Sequence, residues 1–171
     1  MRLVIICIIL LQSALVHAQD ADTKAQAAYM IAEDAYNTGN YQRAYEKLTE
    51  AERTLGQGNA RIEYLKIKAL MELKRYPDTR AALARYFDYA KANKGTDKYN
   101  EMLMIYGKMD ETESEEYYKE AKSLFDKEQF ELIDTAKLNY AEKHIADKYP
   151  DIYYIRGRAR LTKGYYQGAY F

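Results

Sequence analysis

AEDAYNTGNYQRAYEKLTEA, residues 32–51, sets small residues at Ala32, Ala35, Ala44 and Ala51 around Gly39 and Tyr41. Gly39 permits the left-handed backbone that a tight turn between two helices needs. The alanines let the flanking helices approach closely, and Tyr41 fills the wedge beside the turn. Three further copies follow, the second and third degenerate and the fourth as good as the first but ending at Phe171. IKALMELKRYPDTRAALARYF (67–87) has Tyr76 where Tyr41 stands, and AKSLFDKEQFELIDTAKLNYA (121–141) has Phe130 there. IRGRARLTKGYYQGAYF (155–171) shows Gly157, Ala159, Gly164, Tyr166 and Ala169. Tyr76 follows Tyr41 by 35 residues and Tyr166 follows Phe130 by 36. Between Tyr76 and Phe130 lie 54, one repeat plus a helix-sized insertion. A period of about 34 residues with two helical stripes per unit predicts an all-α, helix–turn–helix solenoid. One such hairpin cannot bury its apolar face alone, so copies must stack.

The first copy resembles a tetratricopeptide (TPR) repeat, on Gly39-Asn40-Tyr41, Ala44 three residues on and Ala51 seven beyond that. The fourth copy is similar. In the second and third, Lys74 and Glu128 replace the turn glycine, and Thr79 and Ile133 replace the small residue after the aromatic. The resemblance covers roughly residues 25–93 and 114–171, and is of the exported, bacterial-envelope type. It implies antiparallel helix pairs in repeats at about 25–58, 60–93, 114–148 and 150–171, the last incomplete. The helices are expected at about 22–37 and 41–55, 60–74 and 77–93, 113–127 and 129–147, then from about 150 to 163 and from 165 onward. An extra helix falls at about 97–109, with Tyr99, Met102, Leu103, Tyr106 and Met109 on one face. Thr112 with Glu115 reads as a capping box for the helix after it. Pro77 and Pro150, the two prolines, are placed just inside helix starts, where a missing N–H costs nothing.

Residues 1–18 read as a cleavable signal peptide rather than as part of the fold. Arg2 precedes the apolar run LVIICIILLQSALV, which closes on Val16-His17-Ala18 before Gln19. The run is short for a membrane span of about 20 apolar residues. Cleavage removes Cys7, the one cysteine, and His17, one of two histidines. The domain at 19–171 is then expected in the periplasm or outside the cell, held by helix packing without disulfides. Taking Arg2 from 26 basic residues leaves a formal charge of about −1 against 26 acidic ones. That balance argues against nucleic acid or an anionic membrane as partner.

The chain has 19 tyrosines. Aligning the first helices by their turns puts Tyr29, Tyr64, Tyr118 and Tyr154 at one equivalent position. The TPR resemblance directs that position into the concave groove, where a tyrosine ladder suits adaptable recognition; the same position also serves helix packing. One turn on lie Glu33, Lys68, Lys122 and Arg158. Three cations beside a ladder would hold an acidic or extended peptide, with cation–π support, or would form a solvated face. The carboxylate-clamp pattern of chaperone-binding TPRs is absent, since Tyr29 and Glu33 stand at its positions.

Catalytic residues, metal ligands and cofactors are not expected. The acidic run Asp110–Glu116 lacks the alternation of a calcium loop and reads as first-turn acids opposing a helix dipole. His144 reads as a cation near a helix C-terminus. No phosphate loop or nucleophile elbow is present. The expected function is a non-catalytic exported scaffold that binds a protein or extended peptide through its concave face. The alternative is an N-terminal regulatory or assembly domain of a larger envelope protein whose activity lies beyond residue 171. The sequence leaves the oligomeric state open.

Overall fold

A computed structural model describes the backbone of residues 2–164 and the side chains of residues 20–164. The side chains of the expected signal peptide, 1–18, lie outside that range, and so does the second helix of the fourth pair with Tyr166 and Ala169. The elements are α1 Arg2–Asn37, α2 Tyr41–Leu55, α3 Ala60–Glu72, α4 Tyr76–Tyr89, α5 Asp97–Asp126, α6 Thr135–Ile145 and α7 Ile152–Thr162. Short 3-10 turns lie at Lys91–Asn93 and Phe130–Leu132. The protein is all-α, with no strand among the described residues. Consecutive helices pack on one another, α1 on α2, α2 on α3, α3 on α4 and α6 on α7. The chain forms two compact units, divided between Leu103 and Met104.

The boundaries of α2 match the expected ones, and several other expectations are corrected. The helices placed at 97–109 and 113–127 are one continuous helix, α5. Neither glycine nor proline separates Met109 from Glu113, so the i to i−4 ladder runs on and Thr112 caps nothing. The acidic run is therefore mid-helix, and side chains rather than a dipole account for it. Asp110 accepts from the Tyr140 hydroxyl at 2.9 Å, Glu113 from Tyr117 at 2.5 Å, and Lys148 bridges Glu111 and Glu115. The helix expected from 129 starts only at Thr135, because Asp134 accepts from the amides of Ala136 and Lys137 at 2.9 and 3.2 Å and caps it there. Pro77 lies in the first turn of α4 as expected, but Pro150 stands ahead of α7.

The turns inside the helix pairs share one geometry. At Gly39 (φ 78°) the amide donates to Tyr36 O, and the next amide, of Asn40, reaches back to Ala35 O. Lys74 (φ 55°) and Glu128 (φ 58°) repeat both bonds, to Met71 and Leu70 and to Phe125 and Leu124. Gly164 (φ 77°) repeats the first, to Leu161. This is the Schellman closure of a helix C-terminus. Two of the four described turns thus hold an L-residue in the left-handed region, at a cost of about 1–2 kcal/mol each. Across the turn Tyr36 packs on Tyr41 at 5.4 Å, and Phe125 packs edge-on against Phe130 at 5.2 Å.

The two units also repeat each other, at an offset of 89 residues as far as Ala44 and Ile133 and of 90 from Leu48 and Leu138 on. Ala32, Leu48, Ala51, Ile62, Leu65 and Ala69 of the first unit are buried. Their counterparts in the second, Ala121, Leu138, Ala141, Ile152, Ile155 and Ala159, are buried too. A buried cation ties each second helix to the next first helix. Lys66 on α3 pairs with Glu52 on α2 at 2.5 Å, and Arg156 on α7 pairs with Glu142 on α6. The one-residue change of offset falls at the 3-10 turn before α6, where Ile133 takes the buried place of Ala44.

Candidate functional site

Within the first unit, α3, α4 and the first turns of α5 enclose an open cleft of about 530 Å³. Its walls include Arg61, Tyr64, Tyr86, Thr96, Asp97 and Lys98. The period of α3 places Arg61, Tyr64 and Lys68 along one face at i, i+3 and i+7. The Tyr64 hydroxyl donates to Glu101 Oε2 at 2.5 Å, and Lys68 pairs with the same carboxylate at 3.4 Å. The Lys68 ammonium lies 5.6 Å from the Tyr36 ring and 5.5 Å from the Tyr64 ring. Tyr86 is buried among Tyr64, Phe87 and Tyr99, which fixes the aromatic wall. Burial, and then the bond to Glu101, push the Tyr64 phenol far above its ordinary range, so it stays a donor. Lys98 lies 5.0 Å from the Tyr64 ring and has no carboxylate partner among the described residues.

Beside it a second recess of about 390 Å³ opens between α1 and the start of α3. Asp22, Ala25, Gln26, Tyr29, Leu55, Asn59, Arg61 and Ile62 line it. The Arg61 guanidinium covers Tyr29 at 4.1 Å from the ring centroid and stands 3.8 Å from Glu33. Burial raises the Tyr29 phenol, opposed by the adjacent Arg61.

In the second unit the equivalent positions carry reversed charge. Lys122 stands where Glu33 was and Asp151 where Arg61 was. Tyr118 donates to both Asp151 oxygens, at 2.9 and 3.0 Å, and stacks on Tyr149 at 4.4 Å. Burial first and that bond second push its phenol up to about 12. Lys122 pairs with Asp126 of its own helix. Tyr154 is exposed and packs edge-on against Phe125 at 5.6 Å. Arg158 lies over Phe130 at 5.2 Å.

The seven residues singled out from the sequence thus fall into two groups. The first unit brings Tyr29, Tyr64 and Lys68 together, with Tyr29 buried and the other two half-buried. The second unit carries Tyr118, Lys122, Tyr154 and Arg158. Sequence reasoning missed Arg61, Tyr86, Lys98 and Glu101. The signal was there, since Lys98 and Glu101 stand at i and i+3 near the start of α5, but that segment read as an insertion. No group of three or more potential metal ligands occurs among the described residues, and none of their helices is long and apolar enough to cross a membrane. No protein-family model matches the chain, and no curated protein or solved structure matches it.

Proposed function

We propose that the chain is a non-catalytic helical-repeat scaffold, of the exported TPR-like kind its sequence resembles, that holds a protein or extended-peptide partner on the face of its first helices. One observation carries this reading. The first unit sets rigid tyrosine rings and the cations Arg61, Lys68 and Lys98 around an open cleft. Tyrosine offers contact area and a polar tip with little entropy lost on binding. The buried ion pairs and interhelix turns behind this face hold it in place. The shared turn geometry supports the repeat reading, and the 89–90-residue correspondence supports a doubled module.

Affinity capture from a cell-envelope extract tests this proposal, with the wild-type chain set beside Lys68→Glu and Lys98→Glu. A partner whose recovery falls in both variants, and falls further with added salt, supports it. A partner recovered equally by all three chains at every ionic strength overturns it. Intact-mass analysis of the exported form tests the export half, with a start near Gln19 expected.

A further inference from the structure

Helices α1 and α3 repeat each other at an offset of 35 residues, which sets Tyr29 on Tyr64 and the turn residue Gly39 on Lys74. On α3 the stripe Ile62, Leu65, Lys66 and Ala69 is buried. Ile62 and Leu65 join a core cluster with Ala28, Leu48 and Ala51, and Ala69 joins one with Ala35 and Ala44. The same places on α1 hold Ala27, Met30, Ile31 and Asp34. All four are exposed, Met30 at 61% and Ile31 at 40%. The face by which α3 meets the helix pair before it is thus turned outward on α1. Helical repeats end on a polar outer face where nothing stacks on them. The second unit follows that rule, with Glu116, Lys119 and Glu120 at the places of Ala27, Met30 and Ile31. There Lys119 pairs with Glu116 at 3.4 Å and Glu120 with Lys137 at 2.9 Å. The first unit breaks the rule with an apolar stripe, and contiguous exposed apolar surface marks a contact.

We propose that this stripe of α1 is a dimer interface that takes the same stripe of a second copy, the two helices running antiparallel. Lys24, Ala27, Ile31 and Asp34 share one face of the helix by its 3.6-residue period. A two-fold axis beside Tyr29 makes that face its own complement. It sets Ala27 opposite Ile31 of the other copy, a small residue leaving room for a large one. It also sets Lys24 opposite Asp34, twice over. Both charges are at hand for this. Lys24 pairs only with Asp20, one turn earlier on its own helix, at 2.7 Å with both side chains more than 60% exposed, and such a pair is worth little. Asp34 has no ion-pair partner among the described residues. Met30 adapts to the gap the crossing leaves. A patch of this size suits a dimer at the weak end of the range. The stripe shares no residue with the lining of the open cleft, so the dimer and the scaffold reading stand or fall separately.

Sedimentation equilibrium of the purified chain, over about 0.01–1 mM, measures the association. A monomer–dimer equilibrium is expected for the wild type. Ile31→Asp should weaken it about thirtyfold or more, and Lys24→Glu or Asp34→Lys about tenfold. Lys24→Glu combined with Asp34→Lys should regain the wild-type affinity, because each charge again faces its opposite. Lys119→Asp, at the second unit's equivalent of Met30, should leave the dimer unchanged. Every substituted side chain is exposed, and circular dichroism checks that each variant stays folded. A wild-type chain that is monomeric throughout overturns the proposal. So does a dimer that survives Ile31→Asp, which would place the association elsewhere, the apolar run of 1–18 included. A dimer lost with Ile31→Asp but not regained by the charge exchange overturns the antiparallel register. A helix of another protein held on the stripe of a monomeric chain, and lost with Ile31→Asp, overturns the second copy as its occupant.

Discussion

Removing Glu52 should destabilise the protein far more than removing its partner, Lys66. The Lys66 side chain is 4% exposed, Glu52 is 27% exposed, and their charged atoms are 2.5 Å apart. At that separation and an effective dielectric near 20, the attraction is about 6–7 kcal/mol before desolvation. Glu52→Ala forfeits the attraction and leaves an ammonium between α2 and α3 with no counter-charge. Water entering the vacated space recovers part of the loss. A net cost of about 3 kcal/mol is expected, at the lower end for a broken buried pair. Lys66→Met removes the attraction together with the burial of the cation, and Glu52 turns to solvent, so the change should stay within about 1 kcal/mol. Urea unfolding followed by circular dichroism measures both, and about 3 kcal/mol corresponds to roughly 6–12 °C in Tm for a chain of this size. Because Arg156 and Glu142 occupy the equivalent places, Glu142→Ala should repeat the asymmetry against Arg156→Met. Small and equal effects of Glu52→Ala and Lys66→Met would refute the reasoning, since they would place the pair effectively in water.

Glu128→Gly should stabilise the chain by about 0.5–1 kcal/mol, the left-handed cost of about 1–2 kcal/mol less the entropy glycine loses on folding; a drop in the urea midpoint would contradict the turn geometry. Ala44→Leu should cost about 1–3 kcal/mol by overpacking the contact with Ala35 and Ala69, and more than Ala51→Ser; an unchanged Tm would mean that α1, α2 and α3 do not meet there. The raised phenol of Tyr118 gives stability a dependence on pH. Its contribution is complete below the unfolded value near 10 and is lost as pH climbs toward about 12. Tyr118→Phe should flatten that decline in urea titrations between pH 9 and 12, and an unaltered slope would count against the Asp151 bond.

The first hairpin could be read from the sequence because its local signals agree. Gly39 supplies the turn, Asn40 caps α2, and the small residues fall on one stripe. The second and third turns were located by their aromatics, but the left-handed backbone at Lys74 and Glu128 was not legible, because their side chains do not advertise it. Packing on both sides holds that conformation, and no propensity encodes it. Thr112 and Glu115 carry a helix-start signature, yet a continuous ladder satisfies every backbone group there at no extra cost, so the signature is overridden. The tyrosines and Lys68 of the candidate face were legible as an alignment of first helices. Arg61 and Lys98 were not, since one belongs to a helix start and the other to a segment that looked like an insertion.

The central claim is that a partner lies on the first-helix face, and photocrosslinking from single sites tests it most directly. Benzoylphenylalanine replaces Lys98 in one chain and Arg43 on α2, an exposed site on a second helix, in another. Both chains are expressed in the native cell and irradiated. The account predicts a discrete crosslinked species from position 98 that disappears when Lys68→Glu is added, and none from position 43. A crosslink from position 43 with none from position 98 would contradict it.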